Sequence, residues 1–91
     1  MAVAVRVPTV LRGQTGGQAT VSVDAATING VLDALISTYP SLKEQLKNPD
    51  GTLHRFINVY VNDDDVRYMG GLEAPVADGD VVSLLPAVAG G

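Results

Sequence analysis

Val3, Val5 and Val7 alternate with Ala2, Ala4 and Arg6, the period that sends β-branched residues to one face of a sheet. Gly13-Gln14-Thr15-Gly16-Gly17 then supplies residues tolerant of positive φ, and beyond it Ala19, Val21 and Val23 alternate with Thr20 and Ser22. The two runs predict a hairpin. The period changes next: Ile28, Val31, Leu32, Leu35, Ile36 and Tyr39 fall on one helical stripe. Thr27 is placed to cap its start, and Pro40 removes the α conformation from Tyr39, so the spacing predicts a helix over about Thr27 to Thr38. Ser41 to Leu46 reads as a connector with a further turn of helix, closed by the turn residues Asn48-Pro49-Asp50-Gly51. Phe56 to Val61 is a strand with Ile57, Val59 and Val61 on one face, followed by a turn at Asn62-Asp63-Asp64-Asp65. A brief pairing at Val66 and Arg67 would add a short strand. After the loop containing Pro75 and the turn Asp78-Gly79-Asp80, the chain ends in a strand over Val81 to Leu85. The order β-β-α-β-β predicts an α+β fold of the β-grasp type: a mixed sheet of four to five strands packed on one main helix. Residues 1–86 form this domain, and residues 87–91 a flexible tail.

Candidate chemistry is sparse along the folded part. Asp63-Asp64-Asp65 lacks the spacing of a calcium loop and reads as a solvated turn, so no metal site is expected. Asp78 and Asp80 flank Gly79 as turn formers, with an acidic rim for a basic partner as the second reading. His54 has no GxSxG or HExxH motif to support it and reads as a surface residue at the start of a strand, with partner contact next. Gly16-Gly17 and Gly70-Gly71 lack the Lys-Ser/Thr that a phosphate loop requires, so no cofactor is expected to be bound. Alternation turns Tyr60 and Leu85 to the face opposite Val59, Val61, Val82 and Leu84. There they form either a docking patch or an ordinary scatter of exposed apolar residues.

Composition narrows the classes. The 91 residues are 46% hydrophobic and 18% charged, enough apolar material for one small core. Ten acidic against six basic residues leave a net charge of −4, which disfavours nucleic acid as a partner. The absence of Cys excludes disulfides, thiolate metal sites and a cysteine nucleophile. The N-terminal run carries Arg6 and stops at Pro8 without the pattern of a secretory leader, and no apolar run approaches the roughly 18 residues of a membrane span. A cytoplasmic protein without membrane contact is expected.

The last residues are the most specific signal. Beyond Pro86 come Ala87, Val88, Ala89, Gly90 and Gly91, a thin peptide ending on a carboxylate. Terminal glycines alone are compatible with mere fraying. On a compact fold they are also what an enzyme needs to thread a C-terminus through a narrow channel. Together with Pro8-Thr9-Val10-Leu11-Arg12, Thr15-Gly16-Gly17-Gln18, Leu53-His54-Arg55-Phe56, Asn58-Val59-Tyr60-Val61-Asn62-Asp63, Asp65-Val66-Arg67 and Leu84-Leu85-Pro86, this tail resembles the ubiquitin-like sulfur carrier family, the group containing ThiS and MoaD. The likeness runs over essentially the full length and is most specific to the branch serving cysteine biosynthesis.

The resemblance implies that Gly91 is adenylated by a ubiquitin-activating-like adenylyltransferase using ATP and Mg, then converted to a thiocarboxylate by a sulfurtransferase. The chain is thus a carrier and no enzyme. Its sulfur would pass to a pyridoxal-phosphate (PLP)-dependent cysteine synthase, and a JAMM-type metalloprotease would release the cysteine formed on the carrier. Gly91 would carry the chemistry; Gly90, Ala87, Val88 and Ala89 would give reach, and these residues with Pro86, Tyr60 and Leu85 would meet the partners. Within the family, the small subunit of molybdopterin synthase, or a carrier shared with pathways such as thiosugar formation, has the same tail chemistry. A covalent protein modifier joined to lysines is the alternative of another class; Lys43 and Lys47 are the chain's own lysines.

Overall fold

In the computed structural model, which describes residues 2–55 and 57–86, the alternating runs become β1 (Ala2–Arg6) and β2 (Thr20–Asp24). They pair antiparallel with Val3 opposite Val23 and Val5 opposite Val21, so the valines share the inner face. The later strands are β3 (Ile57–Val61), β4 (Asp64–Asp65) and β5 (Val81–Pro86). β5 lies parallel to β1 and antiparallel to β3, giving the order β2-β1-β5-β3-β4. With one helix across the inner face, this is the β-grasp arrangement.

Helix α1 (Ile28–Thr38) starts where Thr27, extended at φ −139°, accepts a hydrogen bond from the Gly30 N–H at 3.1 Å through its side chain. It ends at Tyr39, which Pro40 holds at φ −128° and ψ 81°. Ile28, Val31, Leu32 and Leu35 on its stripe are fully buried against Val3, Val5, Val59, Val82 and Leu84. Each such side chain contributes about 1.5–3 kcal/mol relative to exposure. The connector after Pro40 forms a 3-10 turn and the one-turn helix α2 (Lys43–Leu46), whose Leu42 and Leu46 complete the core. Residues 74–76 strap the start of α1: the Ile28 N–H donates to the Ala74 carbonyl at 2.9 Å and the Val76 N–H to the Ala26 carbonyl at 3.0 Å.

Two local expectations change. The β1–β2 connection is no tight turn, because Thr9–Thr15 winds into a 3-10 helix that ends at Gly16 and Gly17, both at positive φ. Leu11 and Thr15 are buried beneath it, and the Thr15 hydroxyl lies 2.9 Å from the Gln18 carbonyl and 3.2 Å from that of Arg12. The extra short strand is β4 at Asp64–Asp65, and Val66–Tyr68 instead form a 3-10 turn, because the Asp65 carboxylate accepts from the Arg67 N–H at 2.9 Å and caps it. Among the described residues no helix is long and apolar enough to cross a membrane.

Candidate functional site

The sheet delivers the chain terminus at one end of its open face. Alternation along β5 buries Val82 and Leu84 and turns Leu85 outward, where 47% of it is exposed. Leu85 lies opposite Asn58, and Tyr60 lies opposite Ser83. Tyr60 and Leu85 are therefore diagonal neighbours on the outward face, a spacing that long and aromatic side chains can bridge. Tyr60 is half-buried, and Pro86, opposite Ile57, is exposed at the last described position. Ala87, Val88, Ala89, Gly90 and Gly91 lie outside the described residues.

The acidic turns serve structure. Two Cα pairs, Tyr60 with Asp65 and Val61 with Asp64, close the β3–β4 hairpin around Asn62 and Asp63, with Asn62 at φ 55°. The Arg67 guanidinium grips Asp65 at 2.7 Å. That bond, joined by the Arg67 N–H, holds the Asp65 carboxyl below the usual carboxylate range, while the same pairing pushes Arg67 up. Asp78 accepts from the Ala2 N–H and Asp80 from the Ala77 N–H, each at 2.8 Å, fastening the start of β1 to the turn before β5. Asp50 closes its own turn by accepting from the Thr52 hydroxyl at 2.6 Å, which lowers its pKa. No group of three or more potential metal ligands occurs among the described residues. His54 is half-buried, its N–H donating to the Leu46 carbonyl at 2.9 Å. It lines a shallow depression with Lys43, Glu44, Lys47, Asn48 and Pro49.

Local pattern does not disclose one feature at the terminus-bearing end. A cleft of about 350 Å³ opens there between the ends of β1 and β5, its walls including Arg6, Pro8, Arg12, Thr20, Ser83 and Leu85. Arg6 is outward on β1 and in register with Ser83, which in turn faces Tyr60 across β3. Arg12 comes from the 3-10 helix and is steadied by its Nε donating to the Val7 carbonyl at 3.1 Å. The alternation at Arg6 was a visible signal; the parallel β1–β5 register and the helical connection that bring Arg12 beside it were not.

The ThiS family profile matches residues 5–91. The sulfur carrier protein CysO of Mycobacterium tuberculosis is 52% identical over 93 residues, spanning 100% of both chains. Among solved structures, the complex of BexX and CysO from Amycolatopsis orientalis contains a chain with a TM-score of 0.91 and 52% identity, covering 99% of this chain and 100% of that one. SAMP1 of Haloferax volcanii gives a TM-score of 0.84 at 32% identity, with 100% of both chains covered.

Proposed function

This chain belongs to the ThiS family, and from that premise we propose that it is a sulfur carrier whose Gly91 is loaded as a thiocarboxylate and whose sulfur goes into cysteine. The observation that carries the reading is full-length likeness to CysO, with the family match running to the Gly90-Gly91 end.

The chemistry follows from what a carboxylate lacks. Its carbon is a poor electrophile until an oxygen becomes a leaving group. One Gly91 oxygen attacks the α-phosphorus of ATP on the activating enzyme, and pyrophosphate departs. A sulfur nucleophile then takes the place of the adenylate, AMP leaves, and the terminus becomes –C(=O)S⁻. ATP and Mg belong to that enzyme, and PLP to the cysteine synthase that receives the sulfur; a JAMM-type metalloprotease frees the product. This chain contributes the end group, the slim approach through Ala87 to Gly90, and a docking face at Tyr60, Leu85 and Pro86. Having no Cys, it offers no thiolate of its own to capture the activated terminus.

The likeness to SAMP1 favours one second reading, a modifier attached through Gly91 to lysines. Self-chaining would then use Lys43, which is exposed. Lys47 is engaged: its side chain is 12% exposed, and its Nζ donates to Asn29 Oδ1 at 2.6 Å and Asp33 Oδ1 at 2.8 Å.

Intact mass spectrometry after incubation with an activating sulfurtransferase, Mg-ATP and a sulfur donor tests the proposal. The expected gain is one sulfur in exchange for one oxygen, absent from a chain lacking Gly91. Lysine-linked adducts without a thiocarboxylate would replace the carrier reading by the modifier.

A further inference from the structure

Gly91 is the fifth residue beyond Pro86, so at roughly 3.5 Å per residue the terminus reaches at most about 17 Å beyond the last strand. A protein that closes on Gly91 therefore also covers the end of the sheet from which β5 departs. That end is basic. The cleft between β1 and β5 contains Arg6 and Arg12 and no acidic residue among the described residues, and neither arginine is ion-paired with a described carboxylate. The far end is acidic. β2 finishes at Asp24, the β3–β4 turn carries Asp63 and Asp64, and the turn before β5 carries Asp78 and Asp80. A chain of net charge −4 thus keeps its terminus-bearing end positive.

We infer that the Arg6–Arg12 cleft seats Asp and Glu side chains of the protein that activates the terminus, an inference that rests on the carrier reading above. A guanidinium offers a carboxylate two parallel N–H donors, a fit that a point charge lacks. Arg12 is held by its bond to the Val7 carbonyl, which lowers the ordering cost of the contact. Arg6 shares the outward face with Tyr60 and Leu85, so the charged cleft continues the apolar patch. Both arginines remain open to water, so their effect falls on encounter and orientation more than on the lifetime of the complex. An acidic partner surface is repelled by the Asp-rich end and drawn to the end that presents Gly91.

The test follows loading of the full chain by an adenylating sulfurtransferase that acts on the wild type, varying carrier concentration at low and high salt. Arg6→Glu is the principal variant, because no hydrogen bond among the described residues depends on that side chain. Arg6→Lys, Arg12→Glu and Asp63→Lys/Asp64→Lys accompany it, with thermal melts of each. The expected result at low salt is a KM for the carrier raised about tenfold by Arg6→Glu with kcat unchanged, the difference shrinking once the screening length falls below about 10 Å. Arg6→Lys should recover part of the loss, and the Asp63→Lys/Asp64→Lys variant should show none. Wild-type behaviour of Arg6→Glu at low salt, a salt-independent loss, a loss in kcat or in the KM for ATP, or an equal loss from Asp63→Lys/Asp64→Lys would each overturn the inference. So would self-association of the wild type abolished by Arg6→Glu, which would assign the cleft to a second copy. Absence of any loading of the wild type overturns the carrier reading itself and is seen before a variant is made.

Discussion

Leu84 and Leu85 are adjacent in β5 and face opposite ways, so truncating each to alanine separates folding from docking. Leu84 is 1% exposed, opposite Val59 in the centre of the sheet. Its removal loses the transfer energy of the side chain and leaves a cavity under α1, together about 2–5 kcal/mol. A domain of this length holds roughly 5–14 kcal/mol in total, and each kcal/mol moves Tm by about 4–8 °C. A central loss near 3 kcal/mol therefore lowers Tm by about 12–24 °C. Leu85 is 47% exposed, so its truncation forfeits about half the transfer term and opens no enclosed cavity. The cost is about 0.8–1.5 kcal/mol, or about 3–12 °C. Circular-dichroism melts of both variants measure this, and the carrier concentration needed for half-maximal loading by the activating enzyme should rise for Leu85→Ala. Melts that fall equally would refute the assignment of faces. Unchanged loading by Leu85→Ala would remove it from the docking patch.

Other expectations are more local. Thr27→Ala removes the side-chain acceptor for Gly30 N–H and should cost about 1 kcal/mol in denaturant titration, with Thr27→Ser restoring most of it. Thr15→Val puts a methyl carbon where a hydroxyl now sits 2.9 Å from the Gln18 carbonyl; loss of about 0.5–1.5 kcal/mol is expected, and an unchanged melt would show that the hydroxyl does not hold the connection. Asp50 and Asp65 have pKa values below the ordinary 3.8, through the Thr52 hydroxyl and the Arg67 side chain respectively. Their contribution is therefore fully present above the unfolded value and lost as pH falls through the lower folded values. The stability gap between wild type and Asp65→Asn should accordingly be present at neutral pH and close in Tm measurements as pH falls below the lowered folded-state value. One alanine added after Gly91 should leave Tm unchanged and abolish the mass gain on loading; sulfur loading of that untrimmed chain would sink the thiocarboxylate proposal.

Where the chain repeats a period, the fold was legible in its sequence. The valines of β1, the stripe from Ile28 to Leu35 and the alternation of β3 each state which side is buried, and Thr27 and Pro40 mark the bounds of α1. The connections were less legible because their contacts are not periodic. Thr9–Thr15 becomes helical by burying Leu11 and Thr15 under the loop, a gain visible only after β1 and β2 have paired. The Asp65 cap displaced the predicted strand by competing for the backbone of Arg67. The outward placement of Tyr60 and Leu85 could be read from alternation. The meeting of Arg6 with Arg12 could not, since it depends on β5 inserting beside β1 from the other end of the chain.

That insertion also relates charge to chemistry. Because β5 is central and parallel to β1, the terminus leaves from the end where β1 finishes in Arg6, and the turns rich in Asp are relegated to the other end. Antiparallel placement of β5 against β1 would instead send the terminus out beside Asp24, at the start of β1. The same polarity supports the inferred contact with an acidic partner surface: the net charge would keep the molecules apart in most orientations, and the Arg6–Arg12 cleft would leave one approach open. The packed core lies on the inner face and the proposed docking residues on the outer one, so extending, charging or capping the terminus is expected to leave the core unaltered.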